Sequence, residues 1–360
     1  MSKLKLLGTS ALVMAGALAA GIHAPVVKAA DSITIGFVTH AKGNPFVEQI
    51  VDGAKAAAAD LGVTLNVQEQ DGGSAEGQLK LSQGLVNAGA NGVASSIPGD
   101  AMAKGMNDII ASGVPVAQFN LLSTAVKAVY VGEKSVQSGR ILGKMVVDKL
   151  GGASAKGKVI IGNCFPGFPV LENRAKGVEE SLKAATGLTV LGPFDVKVSA
   201  VDNYNHWEQL YAANPDAVAM VGLCAPDVAS LGKLNAANGD KFVAGGYDLT
   251  SENLDAIKNK HAYVSLGQSP FVQGYLPVVL LVDAIKAKKP TPIGFYNSGT
   301  QVVTADSVDM ANGLPKQTFA QLQALAADPK ATAAFYKAWS SKQTGPDGPP
   351  GMQPVAAESE

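Results

Sequence analysis

The side chains best suited to chemistry in this chain follow the ends of predicted β-strands. They are amides, carboxylates, a guanidinium and aromatic rings, at Asn44, Phe46, Asn120, Glu133, Arg174, Tyr247, Asp248 and Gln268, with His40 and Trp207 as weaker candidates. The carboxyl ends of parallel strands meet at one edge of a sheet, and ligands bind beyond that edge where the strand order switches. The polar groups can donate and accept hydrogen bonds while the rings stack on C–H faces. This mixture predicts non-covalent binding of a pyranose or another polyol.

Each of these residues also has a purely structural explanation that the sequence leaves open. Asn44 precedes Pro45 and could serve only as a helix cap. Asp248 could cap the next helix, although Ser251 stands closer to the start of that helix. Core or hinge contacts are the corresponding alternatives for Phe46, Trp207 and Gln268.

Arginine is rare in this chain, and its scarcity favours a special role for one of the two arginines. Only Arg140 and Arg174 occur among 29 basic residues. The planar guanidinium is the usual group for bidentate recognition of oxygens. Arg174 has no acidic residue three or four positions away along its predicted helix, so we expect it to face a ligand. We further expect Arg174→Ala to abolish ligand-induced stabilisation without unfolding the ligand-free protein.

The cysteines and histidines point to structure rather than to catalysis. Cys164 and Cys224 end strands that would be neighbours in a 2-1-3-4-5 sheet, so they could form a disulfide or remain two buried thiols. The four histidines show no metal-ligand spacing, and no HExxH or GxSxG motif occurs. A GxxxxGK pattern at 152–158 precedes a strand instead of following one, so it does not predict a phosphate loop. The sequence predicts no metal, no cofactor and no enzymatic activity.

The N-terminus has the features of a cleavable export signal. Lys3 and Lys5 precede the short apolar stretch 6–22, and Val27-Lys28-Ala29 offers small residues at a cleavage site. This pattern predicts a secreted protein in the periplasm of a Gram-negative bacterium. The formal net charge of -1 argues against a nucleic-acid partner, which would require a basic face.

Strand-like and helix-like segments alternate along the remaining chain in two similar sets. Such alternation predicts an α/β fold, with parallel sheets covered by helices on both faces. We predict two doubly wound parallel-sheet lobes joined by a hinge near Glu133, Gln268 and Gly299. The predicted segments are a signal peptide at 1–29, an N-terminal lobe at 30–133 plus about 269–296, a C-terminal lobe at 134–268 plus about 297–310, extra helices at 311–343 and a disordered tail at 344–360. The extra helices are predicted from Phe319, Leu322, Leu325, Phe335 and Trp339.

The motifs at the strand ends resemble those of a known family. They are Asn44-Pro45-Phe46, Arg174-Ala-Lys-Gly177, Tyr247-Asp248, Gln268-Ser-Pro270 and Gln273-Gly274-Tyr275. In this order and spacing they are similar to the motifs of periplasmic sugar-binding proteins of the ribose-binding type, which have the type I periplasmic binding protein fold and serve ABC importers. The resemblance covers roughly Ile33 to Thr304, about three quarters of the chain.

The resemblance implies roles for individual residues. Sugar hydroxyls would be hydrogen-bonded by Asn44, Arg174, Asp248 and Gln268, while Phe46 and Tyr247 would stack on the sugar. Ribose-type members carry Asp-Arg where this chain has Asn120-Leu121, and asparagine where it has Cys224. These two departures leave the identity of the sugar open.

The resemblance also implies the protein's function and partners. It predicts a monomeric receptor that captures a neutral monosaccharide or polyol and delivers it to a membrane permease of an ABC transporter. A sensor that presents the sugar to a chemoreceptor or histidine kinase is the alternative, and an exported α/β enzyme is a minor one.

Overall fold

The computed structural model describes residues 32–309, 316–340 and 353–354, apart from the side chains of 339 and 340. The predicted signal peptide at 1–29 lies outside these residues. The first set of elements consists of β1 Thr34–Thr39, α1 Pro45–Leu61, β2 Thr64–Glu69, α2 Ala75–Asn87, β3 Gly92–Ser95, α3 Ala103–Ala111, β4 Val116–Phe119 and β5 Val129–Gly132.

A second set of alternating helices and strands follows. It consists of α4 Ser135–Lys149, β6 Lys156–Asn163, α5 Pro169–Lys183, β7 Gly187–Asp195, α6 Ala200–Ala213, β8 Ala217–Gly222, α7 Asp227–Ala237, β9 Val243–Tyr247, α8 Ser251–Lys258 and β10 Val264–Gly267. The last elements are α9 Pro270–Ala287, β11 Phe295–Asn297, β12 Gln301–Val303, β13 Val308–Asp309, α10 Phe319–Ala327 and α11 Pro329–Ser340.

The described strands form two sheets, which define two lobes. The N-terminal lobe is built on a parallel six-stranded sheet of order β11-β5-β4-β3-β1-β2. The C-terminal lobe is built on a seven-stranded sheet of order β13-β12-β10-β9-β8-β6-β7, in which the β10–β12 and β12–β13 pairs are antiparallel and the other pairs are parallel. Both sheets contain the doubly wound 2-1-3-4-5 order, so the predicted α/β fold class is confirmed.

Each sheet has its own apolar core. The core of the C-terminal lobe contains the fully buried side chains of Trp207 and Tyr247. The core of the N-terminal lobe contains Phe37, which stacks on Phe119 with ring centroids 4.4 Å apart. Among the described residues one helix, α9, is long and apolar enough to cross a membrane, with mean hydropathy 1.3, and 72% of it is buried inside the protein. This helix forms much of the N-terminal core.

Within residues 32–309, three short segments carry the chain between the lobes. They lie between β5 and α4, between β10 and α9, and between β11 and β12. In the second of them the Gln268 carbonyl accepts hydrogen bonds from Gln273 Nε2 and Ser298 Oγ, both at 2.8 Å. Because Ser298 belongs to the third segment, this carbonyl ties two crossing segments together.

The two extra C-terminal helices form, and they cover both lobes. α10 packs beside α8 of the C-terminal lobe, whereas α11 packs on α1 and α9 of the N-terminal lobe. The side chain of Trp339 lies outside the described residues. Gln353, in the segment predicted to be disordered, instead pairs with Phe295 through two backbone hydrogen bonds of 2.7 and 2.8 Å. The free edge of β11 explains this pairing, because it offers unpaired backbone groups.

Candidate functional site

A cleft lies between the carboxyl ends of the two sheets. Its empty space is about 490 Å³, part of it open to solvent. The N-terminal lobe lines it with His40, Asn44, Phe46 and Asn120, the C-terminal lobe with Phe165, Phe168, Arg174 and Asp248, and the crossing segment with Gln268. Side chains from both lobes therefore face one small space at the strand ends.

Arg174 is held from three directions. Its Nε donates to Glu133 Oε1 at 2.5 Å and its Nη1 donates to the Leu223 carbonyl at 2.7 Å. The guanidinium also lies over the ring of Tyr247, 3.9 Å from the centroid. Arg174 is 3% exposed and Glu133 is 1% exposed. Burial by itself would lower the pKa of Arg174, but the Glu133 carboxylate raises it, so the guanidinium stays charged.

Close packing of α4 on α5 places Arg174 beside Glu133. A Cβ at Gly139 would lie 2.2 Å from the Arg174 carbonyl, and a Cβ at Gly177 would lie 2.0 Å from the Val136 carbonyl. Only glycine allows the two helix backbones to approach this closely. Because Glu133 lies two residues before α4, this approach brings the carboxylate within reach of the guanidinium.

Asp248 and Gln268 form the second polar group of the cleft. Gln268 Nε2 donates to Asp248 Oδ1 at 2.9 Å. Burial raises the pKa of Asp248 to about 6, and the nearby charge of Arg174 and the bond from Gln268 only partly offset this effect. The backbone of Asp248 has a φ of 72°, a left-handed conformation that turns the chain sharply after β9.

Asn253 fixes the loop that carries Asp248, and the sequence analysis missed it. Its Nδ2 donates to the carbonyls of Tyr247, Asp248 and Ala225, at 3.0, 2.9 and 3.0 Å. Asn253 lies in the first turn of α8, where an amide side chain usually hydrogen-bonds only to the backbone of its own helix. The sequence therefore gave no sign that it bonds to the Asp248 loop.

The polar side chains of the N-terminal lobe that line the cleft already make some of their hydrogen bonds to other groups of the protein. Asn44 Oδ1 caps α1 by accepting from the Phe46 backbone at 2.9 Å, and Asn120 Nδ2 donates to Gln273 Oε1 at 3.1 Å. Burial lowers the pKa of His40 to about 4, so its imidazole is neutral at neutral pH. Nδ1 of His40 lies 3.2 Å from Ser96 Oγ.

The aromatic wall of the C-terminal lobe was also missed. Phe165 and Phe168 stack with centroids 4.8 Å apart and line the cleft. Phe168 also meets His40 edge to face at 6.4 Å, so the ring reaches the N-terminal lobe. The signal was present, because both residues follow the end of β6, as the other candidates follow their strands.

Cys164 and Cys224 form a disulfide on the same wall of the cleft, with Cα atoms 6.2 Å apart. The bridge joins the loop after β6 to the loop after β8, two neighbouring strands of the sheet. Of the two options that the sequence left open, the structure therefore contains the disulfide. Cys224 of this disulfide directly follows Leu223, whose carbonyl accepts the hydrogen bond from Arg174 Nη1.

Three of the predicted site residues do not line the cleft. Glu133 and Tyr247 lie behind Arg174 and support it, and burial raises the pKa of Tyr247 far above its usual range. Trp207 is fully buried in the core of the C-terminal lobe, and its Nε1 donates to Asp227 Oδ1 at 2.9 Å. Trp207 was a weaker candidate with helix packing as its alternative, and the structure shows the helix-packing role, because the apolar face of α6 turns this ring into the core.

No group of three or more His, Cys, Asp or Glu side chains arranged to hold a metal occurs within 32–309, 316–340 and 353–354. The cleft instead offers hydrogen-bonding groups beside aromatic rings. This arrangement can bind a small polar molecule, and together with the fold it defines a two-lobed ligand-binding protein.

Comparison with known proteins identifies the family. The model of the periplasmic binding protein domain matches residues 35–289, and the chain belongs to this family, as the sequence motifs predicted. A ribose import binding protein of Haemophilus influenzae is 26% identical over 266 residues, which cover 71% of this chain and 87% of that protein. A xylose/arabinose-binding protein of Sulfolobus acidocaldarius is 21% identical over 264 residues, which cover 68% of this chain. The match spans only 64% of the Sulfolobus protein.

Solved structures share the fold. An ABC transporter solute-binding protein of Burkholderia graminis, in complex with D-arabinose, superposes with a TM-score of 0.72 at 22% identity over 78% of this chain and 97% of that one. A glucose-galactose binding protein of Geobacillus stearothermophilus gives 0.70 at 20% identity, over 77% and 99%. All four of these relatives are named as binding proteins.

Proposed function

We propose that this protein is the substrate-binding component of an ABC transporter, which captures a neutral monosaccharide or polyol between its lobes and delivers it to a membrane permease. The observation that carries the proposal is the meeting of Arg174 and Asp248 of one lobe with Asn44 and Asn120 of the other in a single cleft. A ligand that contacts both walls stabilises the closed arrangement of the lobes.

The charges of the site favour a neutral ligand. Arg174 is the only cationic side chain in the wall of the cleft that the structure describes, and Glu133 already neutralises it at 2.5 Å. An anionic ligand would have to compete with this carboxylate and would also face Asp248. A hydroxyl can instead accept from the remaining guanidinium hydrogens and donate to Asp248, of which only Oδ1 is engaged by Gln268.

The free energy of such binding is adequate for a receptor. Hydrogen bonds to charged groups contribute about 1.5–3 kcal/mol each. Three or four of them contribute about 5–12 kcal/mol before the losses from association and closure, and the ring contacts add to this, whereas micromolar affinity requires roughly -8 kcal/mol. Phe46, Phe165 and Phe168 offer ring faces for the C–H side of a sugar.

A thermal-shift screen against pentoses, hexoses, polyols and furanoses tests the proposal. At one hundred times its Kd, the correct ligand stabilises the protein by about 2.7 kcal/mol. We expect Arg174→Lys to remove this stabilisation, because lysine lacks the planar fork. Arg140→Lys is the matched control, since Arg140 is 44% exposed and pairs with Glu180, and neither residue lines the cleft. The proposal fails if no member of the screen stabilises the protein.

We also propose that the protein is a monomer that works in the periplasm after removal of residues 1–29. Mass spectrometry of the protein purified from the periplasm of a Gram-negative host should give an N-terminus at Ala30. Recovery of the full-length chain from the membrane fraction would contradict this.

A further inference from the structure

The hairpin formed by α10 and α11 is anchored on both lobes. On the C-terminal lobe, Leu322 of α10 is 4% exposed and packs with Leu254 and Val303. Nearby, Gln323 Nε2 donates to Asp255 Oδ1 at 3.0 Å. The first helix of the hairpin is therefore attached to α8 and β12.

The second helix is attached to the N-terminal lobe. Tyr336 of α11 is 6% exposed and stacks on Phe271 of α9, with centroids 6.0 Å apart. Lys337 Nζ pairs with Asp60 Oδ1 at 2.6 Å, and the other oxygen of Asp60 accepts from the Tyr275 hydroxyl at 3.0 Å. These contacts fix α11 to α1 and α9.

The joint between the two helices is a single residue and is stiff. Asp328 separates α10 from α11, and its Oδ1 accepts from the backbones of Lys330 and Ala331 at 2.9 and 3.2 Å. Thr332 Oγ1 donates back across the joint to the Leu325 carbonyl at 2.5 Å. The hairpin therefore cannot lengthen unless one helix leaves its lobe or this joint breaks.

The hairpin also lies beside the ligand cleft. It covers a small pocket whose inner wall contains Phe46, Asp248 and Gln268, all of which also line the cleft. The outer wall of this pocket is formed by Leu322, Leu325, Ala326, Thr332 and Tyr336. Separation of the lobes at this flank would pull the two anchors apart.

We propose that the α10–α11 hairpin is a clamp that limits lobe opening and slows ligand release, with Leu322 and Tyr336 as its positioning residues. The claim about ligand release rests on the proposed function, whereas the claim about opening does not. The hairpin contacts both lobes only when they are close, so it favours the closed state by the free energy of the contacts that opening breaks. The hairpin lies beyond residues 35–289, which the family model matches.

Insertion of Gly-Ser-Gly between Ala327 and Asp328 tests the clamp. The insertion leaves both anchors and the Asp328 cap in place and lengthens the joint. The bond of 3.3 Å from Gln301 Nε2 of β12 to the Tyr336 hydroxyl also joins α11 to the C-terminal lobe, and it has to break when the lobes separate. The control is the same insertion between Asp240 and Lys241, an exposed turn within the C-terminal lobe. We expect the radius of gyration of the ligand-free protein, measured by small-angle X-ray scattering, to increase in the joint variant only. Equal radii in the two variants would overturn the proposal.

The release rate provides the second measurement. Stopped-flow dissociation is recorded with whichever of D-ribose, D-xylose, D-arabinose, D-glucose and D-galactose stabilises the protein most. We expect at least a tenfold faster release for the joint insertion, with the association rate changed less than twofold, and the same direction for Leu322→Ala. Unchanged release rates would remove the ligand part of the proposal. If no member of the thermal-shift screen binds, the proposed function fails, while the scattering result still decides whether the clamp exists.

Discussion

Replacing Arg174 by alanine should destabilise the ligand-free protein, an effect that nothing in the sequence gave reason to expect. The substitution leaves the Glu133 carboxylate buried at 1% exposure, without the guanidinium that bonds Oε1 at 2.5 Å. Oε2 of Glu133 has no hydrogen-bond partner among the described residues, so nothing else compensates this charge. The Leu223 carbonyl and the face of the Tyr247 ring also lose their partner.

The structure sets the size of this effect. Removal of one member of a buried ion pair destabilises a protein by about 3–5 kcal/mol. A change of 1 kcal/mol shifts Tm by about 2–4 °C in a domain of this size, so Arg174→Ala should lower Tm by roughly 6–20 °C. The double variant Glu133→Gln, Arg174→Ala removes the uncompensated charge and should recover most of this loss.

The assay is a double-mutant cycle in urea combined with a sugar titration of each variant. Stability and binding should separate, because the double variant regains stability but still lacks the guanidinium that meets the ligand. If Arg174→Ala alone is as stable as the wild type, the ion pair does not matter for folding. If the double variant binds sugar normally, Arg174 is not part of the site.

The remaining predictions concern the groups around this pair. Burial raises the pKa of Asp248 to about 6, and a ligand hydroxyl donates to the ionised carboxylate, so the affinity for the ligand should fall up to tenfold per pH unit below pH 6. Calorimetric titrations from pH 5 to 8 should show this fall, and Asp248→Asn should abolish the pH dependence. An unchanged pH profile in Asp248→Asn would assign the titration to another group. The double substitution Cys164→Ser, Cys224→Ser should lower the free energy of unfolding by about 4 kcal/mol, because the disulfide closes a loop of 60 residues. A loss below 1 kcal/mol would show that closing this loop does not stabilise the protein. Asn253→Ala should lower the free energy of unfolding by about 1–3 kcal/mol and weaken sugar binding, because three carbonyls around Asp248 lose their hydrogen-bond donor. Normal sugar affinity in this variant would show that the Asp248 loop keeps its shape without the Asn253 amide.

The alternation of apolar strands and amphipathic helices was enough to predict the fold class and the sheet order. These patterns are local, because burial on both faces of a parallel strand produces an apolar run that is visible in the chain itself. The same logic located Asn44, Arg174 and Asp248, since the edge of a sheet where strands end is fixed by the topology. Phe165 and Phe168 were within reach of this reasoning, as they follow β6 directly.

The supporting contacts could not be predicted, because they join residues far apart in sequence. Glu133 stands 41 residues before Arg174, and the approach of α4 to α5 that unites them depends on glycines whose role only the packed helices reveal. Trp207 shows the reverse case, since a neighbouring loop suggested the cleft but helix packing turned its ring into the core. The sequence by itself thus determined which elements form and at which edge a ligand would bind. Only the tertiary structure decided which side chains face the cleft, which ones hold them in place and how the C-terminal hairpin spans the lobes, because these depend on distances between elements that no local pattern encodes.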